Sequence, residues 1–303
     1  MGKLFFFFID GIGLGEDKAE INPMRHFLSP FLGDHSFSID SLSSEGPSHL
    51  LLPIDASLGI DGVPQSATGQ TSIMTGENAS RSLGYHMTAF PNSQLIDLIK
   101  RKNLFHDLRE RGIAATCANL YSQTFLEQRR KRHRNMLPVS TLSMESAGIP
   151  LRFMDDYREG RALFADITNA FLREHGYDIP VISPGEGARR IRDLFRDHRF
   201  VFFEYFLTDT YGHGRNFRSI TAEVDMLNAF LEELKGYVEN ESDPIDLLIT
   251  SDHGNAEDNR TGDHTLNPVP FFFASRNTVL FPHYRRAVRD LTDIKAAILS
   301  YFD

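Results

Sequence analysis

The chain has 303 residues, of which 41% are hydrophobic and 24% charged, an ordinary balance for a globular protein able to bury the core of one large domain or two. The formal net charge of −9, with no long acidic or basic tail, argues against nucleic acid as the main partner, so a small anionic substrate would need local positive charge from metals or a few Arg and Lys. Cys117 is the single cysteine, which excludes an intrachain disulfide and fits a reducing cytoplasm; no window nears the roughly 18 apolar residues of a membrane span, and the N-terminal apolar run is too short for a signal peptide.

Residues 4–9 form a continuous apolar run, the pattern of a strand buried on both faces of a parallel sheet. It ends in Asp10, the position where open α/β sheets carry ligand or catalytic groups. Gly11, Gly13 and Gly15 follow with G-x-G-x-G spacing, not the G-x-G-x-x-G of a dinucleotide loop. Residues 16–60 read as loop with a short strand at 48–52. In the stretch GVPQSATGQTSIMTG, residues 62–76, Pro64 and the glycines signal a tight loop and a helix beginning just after Ser66. Ser66 there is either a helix N-cap or a hydroxyl held against unpaired N–H groups and the positive end of the helix dipole.

Downstream, residues 94–108 suit one or two helices and 114–120 a short strand. The basic cluster at 129–134 reads as a solvated helix face or loop, or as a lid attracting an anion. The pattern predicts a short strand at 141–144, a long helix over 156–175 ended by Gly176, and a helix over 184–195 capped by Ser183. A strand at 199–207 runs towards Asp209 and His213, and an amphipathic helix covers 221–237. A strand at 245–250 ends in Asp252-His253, His264 precedes a last strand at 269–274, and a helix covers 290–302. Repeated strand–loop–helix units predict an α/β fold with a mostly parallel sheet covered on both faces.

Asp10, Ser66, Asp209, His213, Asp252, His253 and His264 make a mixed oxygen and imidazole donor set, suited to Zn²⁺ or Mn²⁺ and poorly to Ca²⁺. Seven donors exceed one tetrahedral site, whereas two ions about 4 Å apart would use them all and clamp both oxygens of an in-line phosphoryl displacement. A nearby cation also lowers the pKa of a serine hydroxyl.

The runs Asp252-His253-Gly254-Asn255-Ala256-Glu257 and His264-Thr265-x-Asn267-Pro268-Val269-Pro270-Phe271 resemble the two late metal motifs of the alkaline phosphatase superfamily. They are most similar to the branch containing cofactor-independent phosphoglycerate mutase and phosphopentomutase. Asp209-x-x-x-His213, Ile9-Asp10-Gly11 and the Ser66 loop with Thr75-Gly76 resemble other motifs of that branch, in the same order. The resemblance implies a three-layer α/β/α core, residues 1–84 and 197–303, and a smaller inserted α+β cap, residues 85–196. It also implies that Asp209, His213 and His264 hold one divalent ion and that Asp10, Asp252, His253 and Ser66 hold the other, with Ser66 carrying a phosphoserine. The implied function is phosphatase or phosphomutase action on a small phosphorylated metabolite; the alternative is a non-catalytic metal-binding protein derived from such an enzyme.

Two departures stand out. Where similar mutase loops commonly continue E-V-G-H after the serine, this chain has Ala67-Thr68-Gly69-Gln70. The segment 85–196 is short for the cap of a phosphoglycerate mutase, and Arg158 and Arg161 are its possible phosphate clamps, with helix-surface roles as the alternative. A sulfatase is disfavoured because Ser66 lacks the C/S-x-P-x-R motif.

Overall fold

In the computed structural model of the chain the described residues are 2–41, 44–132, 136–240 and 242–303. Six strands, β1 (Leu4–Ile9), β2 (His49–Ile54), β3 (Ala115–Cys117), β4 (Phe200–Tyr205), β5 (Asp246–Thr250) and β6 (Val269–Ala274), form one sheet in the order β2-β6-β5-β1-β4-β3. β1 is parallel to β4 and β5, and β3 to β4, while β6 is antiparallel to both β5 and β2. The sheet is therefore mostly parallel, with β6 the one reversed strand.

Every residue of β1 is buried, because side chains alternate across a sheet that is covered on both sides. Phe6 and Phe8 face one core with Phe202 and Phe105. Phe5 and Phe7 face the other, against Phe203, Tyr205 and Phe230. Helices Ser66–Thr75, Ser93–Arg101, Leu104–Glu110, Val139–Ala147 and Asp293–Ser300 contribute to the first core. Helices Pro184–Leu194 and Phe217–Val238 contribute to the second, the longer one through Ile220, Val224, Leu227, Leu231, Leu234 and Val238 at spacings of three and four. At the amino-terminal edge of the sheet the Tyr301 hydroxyl donates to the Lys3 carbonyl or the Asp246 carboxylate, each 2.9 Å away.

Residues 85–196, expected as an inserted cap, are largely part of these layers. They supply edge strand β3, three helices of one face and helix Pro184–Leu194 of the other. The 141–144 run is not a strand; it lies inside helix Val139–Ala147, whose residues 139–144 are all buried. A helix buried all round has no polar face to reveal its period. The long helix expected over 156–175 is interrupted as well. Met154–Arg158 and Ala170–Glu174 are separate short helices, because Leu163 exchanges backbone hydrogen bonds with Ala118 and Leu120. The buried Asp166 then turns the chain by accepting from the N–H groups of Asn169 and Phe171, each at 2.8 Å. Helix Phe281–Ala287 was not anticipated, and the C-terminal helix is confined to Asp293–Ser300.

The helix that begins at Ser66 is buried from Ala67 to Thr75 and has almost no apolar stripe. It tolerates burial because the hydroxyls of Thr71, Ser72 and Thr75 donate to the carbonyls of Ala67, Thr68 and Thr71. Gly69 sets how closely it approaches β5: a Cβ there would lie 2.8 Å from both the Cβ and the carbonyl oxygen of Asp252. Gly69→Ala should lower stability by about 1–3 kcal/mol through overpacking. Gly236→Ala, exposed in the last turn of Phe217–Val238 with open space around it, should raise it by about 0.5 kcal/mol. Urea denaturation of the two variants reads both signs.

Candidate metal centre and active site

The central strands β5, β1 and β4 end side by side, and each delivers ligand-type residues to one edge. Asp10 ends β1, Asp252 and His253 follow β5, and β4 runs into helix Leu207–His213, which places Asp209 and His213 one turn apart. Because β6 is antiparallel to β5, the connection between them begins and ends at this edge, which brings His264 in. β2 runs in the direction of β1, so the loop after it returns to the same edge at Ser66. The helix N-cap is Gln65, without a side-chain cap bond, and Ser66 is the first helical residue. Ser66 therefore is not the cap; its Oγ lies 3.0 Å from His253 Nε2.

The seven predicted residues fall into two adjoining groups. In one, His253 Nε2 is 3.3 Å from Asp10 Oδ1 and 3.6 Å from Asp252 Oδ2, beside the Ser66 hydroxyl. In the other, Asp209 lies 3.4 Å from His213 Nε2 and 3.5 Å from His264 Nε2. The His253 and His264 rings stack at 3.6 Å and form the wall between them. One donor atom each from Asp209, His253 and His264 also comes within 4.8 Å of the others.

Three features fit these groups to cations. His264 Nδ1 faces the Pro64 carbonyl and His213 Nδ1 the Gly262 carbonyl, each at 2.8 Å. A carbonyl only accepts, so each Nδ1 carries a proton, and in the neutral rings the Nε2 lone pairs face one another 3.2 Å apart. Lone pairs meeting beside the Asp209 carboxylate call for a positive charge between them. In the other group Asp10 Oδ1 is buried without a hydrogen-bond partner. Burial, then the charges of Asp252 and Asp209, push the Asp10 carboxyl well above its usual range, and burial also raises Asp252. Burial holds His253 down to about 3, so its ring is a neutral ligand-type imidazole.

Sequence reasoning gave no role to three further side chains. Gln70 lies four residues, one helical turn, after Ser66, and its amide spans Asp252 Oδ2 (3.1 Å) and Asp10 Oδ2 (3.4 Å); that spacing was the available signal. Asn255 donates to Asp209 Oδ1 at 2.9 Å. Glu257, fully buried, joins the surrounding loops. Both lie inside the run read as a metal motif.

A crevice of about 1350 Å³ opens above Asp10, Ser66, Asp209, His213 and His264. Of the basic cluster, Arg129 lines it, its guanidinium 4.9 Å over the Phe90 ring, while Arg130 pairs with Glu145 and Lys131 with Glu127. His133 and Arg134 fall outside the described residues. Arg158 and Arg161 are not part of the lining; they pair with Asp155, and with Asp156 and Glu159, at the surface. Glu204 interrupts the apolar run of β4 at the crevice floor and accepts from the Ser140 hydroxyl. Burial pushes its carboxyl up to about 7 against that hydrogen bond.

Two measurements test this arrangement. Gln70→Ala should weaken zinc binding about 10- to 100-fold in a chelator competition, because the amide orients two carboxylates without being a ligand itself. The raised Glu204 means that the folded protein keeps a proton the unfolded chain has released, so metal-free protein should lose stability as pH rises from about 4.5 to about 7. Glu204→Gln should remove that part of the slope and be about 1–3 kcal/mol more stable than the parent at pH 8, with no gain at pH 4, by denaturation at both pH values.

Residues 180–303 match the family model of the metalloenzyme superfamily. Over 112 residues the chain is 30% identical to the 2,3-bisphosphoglycerate-independent phosphoglycerate mutase of Legionella pneumophila (strain Corby), a match covering 35% of this chain and 21% of that protein. The enzyme of the same name from Natronomonas pharaonis is 27% identical over 136 residues, 41% of this chain and 26% of that one. The chain thus spans well under two thirds of the length of these relatives. Among solved structures, the cold-active alkaline phosphatase of Shewanella sp. aligns with a TM-score of 0.57 at 14% identity, over 100% of both chains. The alkaline phosphatase of the Antarctic bacterium TAB5 aligns at 0.55 and 13% identity, over 98% of this chain and 96% of that one. The C-terminal portion is thus similar to the metalloenzyme superfamily and to the cofactor-independent phosphoglycerate mutases, and the chain shares the α/β fold of the alkaline phosphatases.

Proposed function

We propose that the chain is a two-metal-dependent phosphoryl-transfer enzyme, a phosphatase or phosphomutase, that works through a phosphoserine on Ser66. The observation that carries this reading is the position of the Ser66 hydroxyl. It stands at the first residue of a buried helix, uninvolved in capping, 3.0 Å from His253 and beside two buried carboxylates. A purely structural metal site has no use for a hydroxyl so placed. Asp209, His213 and His264 would hold one divalent ion, and Asp10, Asp252, His253 and the Ser66 oxygen the other, with nitrogen and oxygen donors suited to zinc or manganese. Bound there, the ions would neutralise phosphoryl oxygens and lower the pKa of the serine hydroxyl.

The remaining work falls to the chain itself. The helix beginning at Ser66 offers its positive end and unpaired N–H groups to a phosphoryl group. Gln70 and Asn255 fix the carboxylates that face the substrate. Ser66 Oγ attacks phosphorus as the ester oxygen departs, and water or a second hydroxyl then takes the phosphoryl group from the serine. Inorganic phosphate as product marks a hydrolase, an isomerised ester a mutase. The proposed setting is the cytoplasm; among the described residues no helix is long and apolar enough to cross a membrane.

Ser66→Ala should retain metal by elemental analysis and lose at least about 10³-fold in turnover of p-nitrophenyl phosphate. Turnover at the parental rate in a metal-loaded Ser66→Ala protein would sink the covalent route.

A further inference from the structure

The crevice above the site is built for more than a phosphate. At about 1350 Å³ it exceeds the usual 300–1,000 Å³ of a small-molecule pocket. Asp10, Ser66, Asp209, His213 and His264 occupy its floor, but Leu120, Phe164 and Phe171, all half-buried, are in its walls. At its mouth stand Met154, Tyr177 and Phe206, which are 41%, 62% and 40% exposed. Large apolar side chains left this open around a concave site mark a surface that an apolar group covers.

Charge points the same way. A substrate with a second anionic group, such as a carboxylate beside its phosphate, needs a guanidinium or ammonium to receive it. Among the described lining residues the one such cation is Arg129, which stands over the Phe90 ring, and the same lining carries the carboxyl groups of Asp155 and Glu204. Arg158 and Arg161 are turned to surface carboxylates.

We infer that the substrate is a phosphate monoester whose alcohol carries an extended uncharged apolar or aromatic group, with the phosphate on the floor and the apolar part along the walls. This rests on the phosphoryl-transfer reading of the floor, and it differs from a small polyanion of the phosphoglycerate kind. Burying one methylene is worth about 0.8 kcal/mol, close to 4-fold in affinity or kcat/KM, until the walls are filled.

Binding and turnover separate the two readings. Calorimetry on the zinc-loaded protein with methyl-, hexyl- and benzylphosphonate, which cannot be hydrolysed, should show hexyl or benzyl binding at least about 10-fold tighter than methyl, and tighter than 3-phosphoglycerate. Preference for the hexyl compound assigns an aliphatic chain, and preference for benzyl an aromatic alcohol. Equal affinities within about twofold, or tighter binding of 3-phosphoglycerate, overturn the inference whatever the turnover. Discrimination among the phosphonates with neither phosphate release nor a phosphoserine on Ser66, by intact-mass analysis after incubation with hexyl or phenyl phosphate, supports the ligand class and removes the phosphoryl-transfer reading alone.

Discussion

One buried carboxylate holds the working edge of the sheet together. Glu257 Oε2 accepts from the backbone N–H groups of Gly13 and Asn255, each at 2.8 Å, and Oε1 accepts from the Asn267 amide at 3.0 Å and from the Thr265 hydroxyl. These donors belong to the loop after β1, the loop after β5 and the segment leading into β6. Hydrogen bonds to a charged acceptor contribute about 1.5–3 kcal/mol each, set against the cost of burying the charge. The net gain in stability is smaller than the gain in position, since Asp10, Asp252, His253 and His264 all hang on those three segments. Gly13 belongs to the same device: a Cβ there would lie 2.5 Å from Glu257 Oε1.

The sheet beneath supplies the stiffness this arrangement needs. Phenylalanines of β1, β4 and β6 pack edge-to-face on both sides, and burial continues through Ile9, Thr208 and Ser251, the residues before Asp10, Asp209 and Asp252. A floor this apolar makes every charge above it costly. Asp10, Asp252 and Glu204 all have raised carboxyl pKa values with burial as the leading cause. Without cations the site is frustrated, and that frustration is the binding energy a cation can recover.

The sequence made the ligand-type residues at the strand ends legible because an apolar run that stops at an acidic residue can be read without knowing its neighbours. The helix at Ser66 was legible from Pro, Gly and hydroxyl residues, but its cap was misplaced by one residue, since Gln65 caps without a side-chain bond. The 85–196 segment was the least legible. Only pairing shows that Ala115–Cys117 adds to β4, and only packing shows that Val139–Ala147 is a helix buried on nearly all sides. The break in the expected 156–175 helix depends on Asp166 meeting N–H groups three and five residues on, together with contacts from Leu163 to residues over 40 positions earlier. Local periodicity carries no trace of the latter. Gln70 was visible as a departure from a familiar loop, and its bridging role depends on where β1 and β5 stop relative to each other.

The contact of Tyr301 with Lys3 and Asp246 lies at the edge of the sheet opposite the crevice. Both tails of the folded unit are therefore moored on the far side from the chemistry.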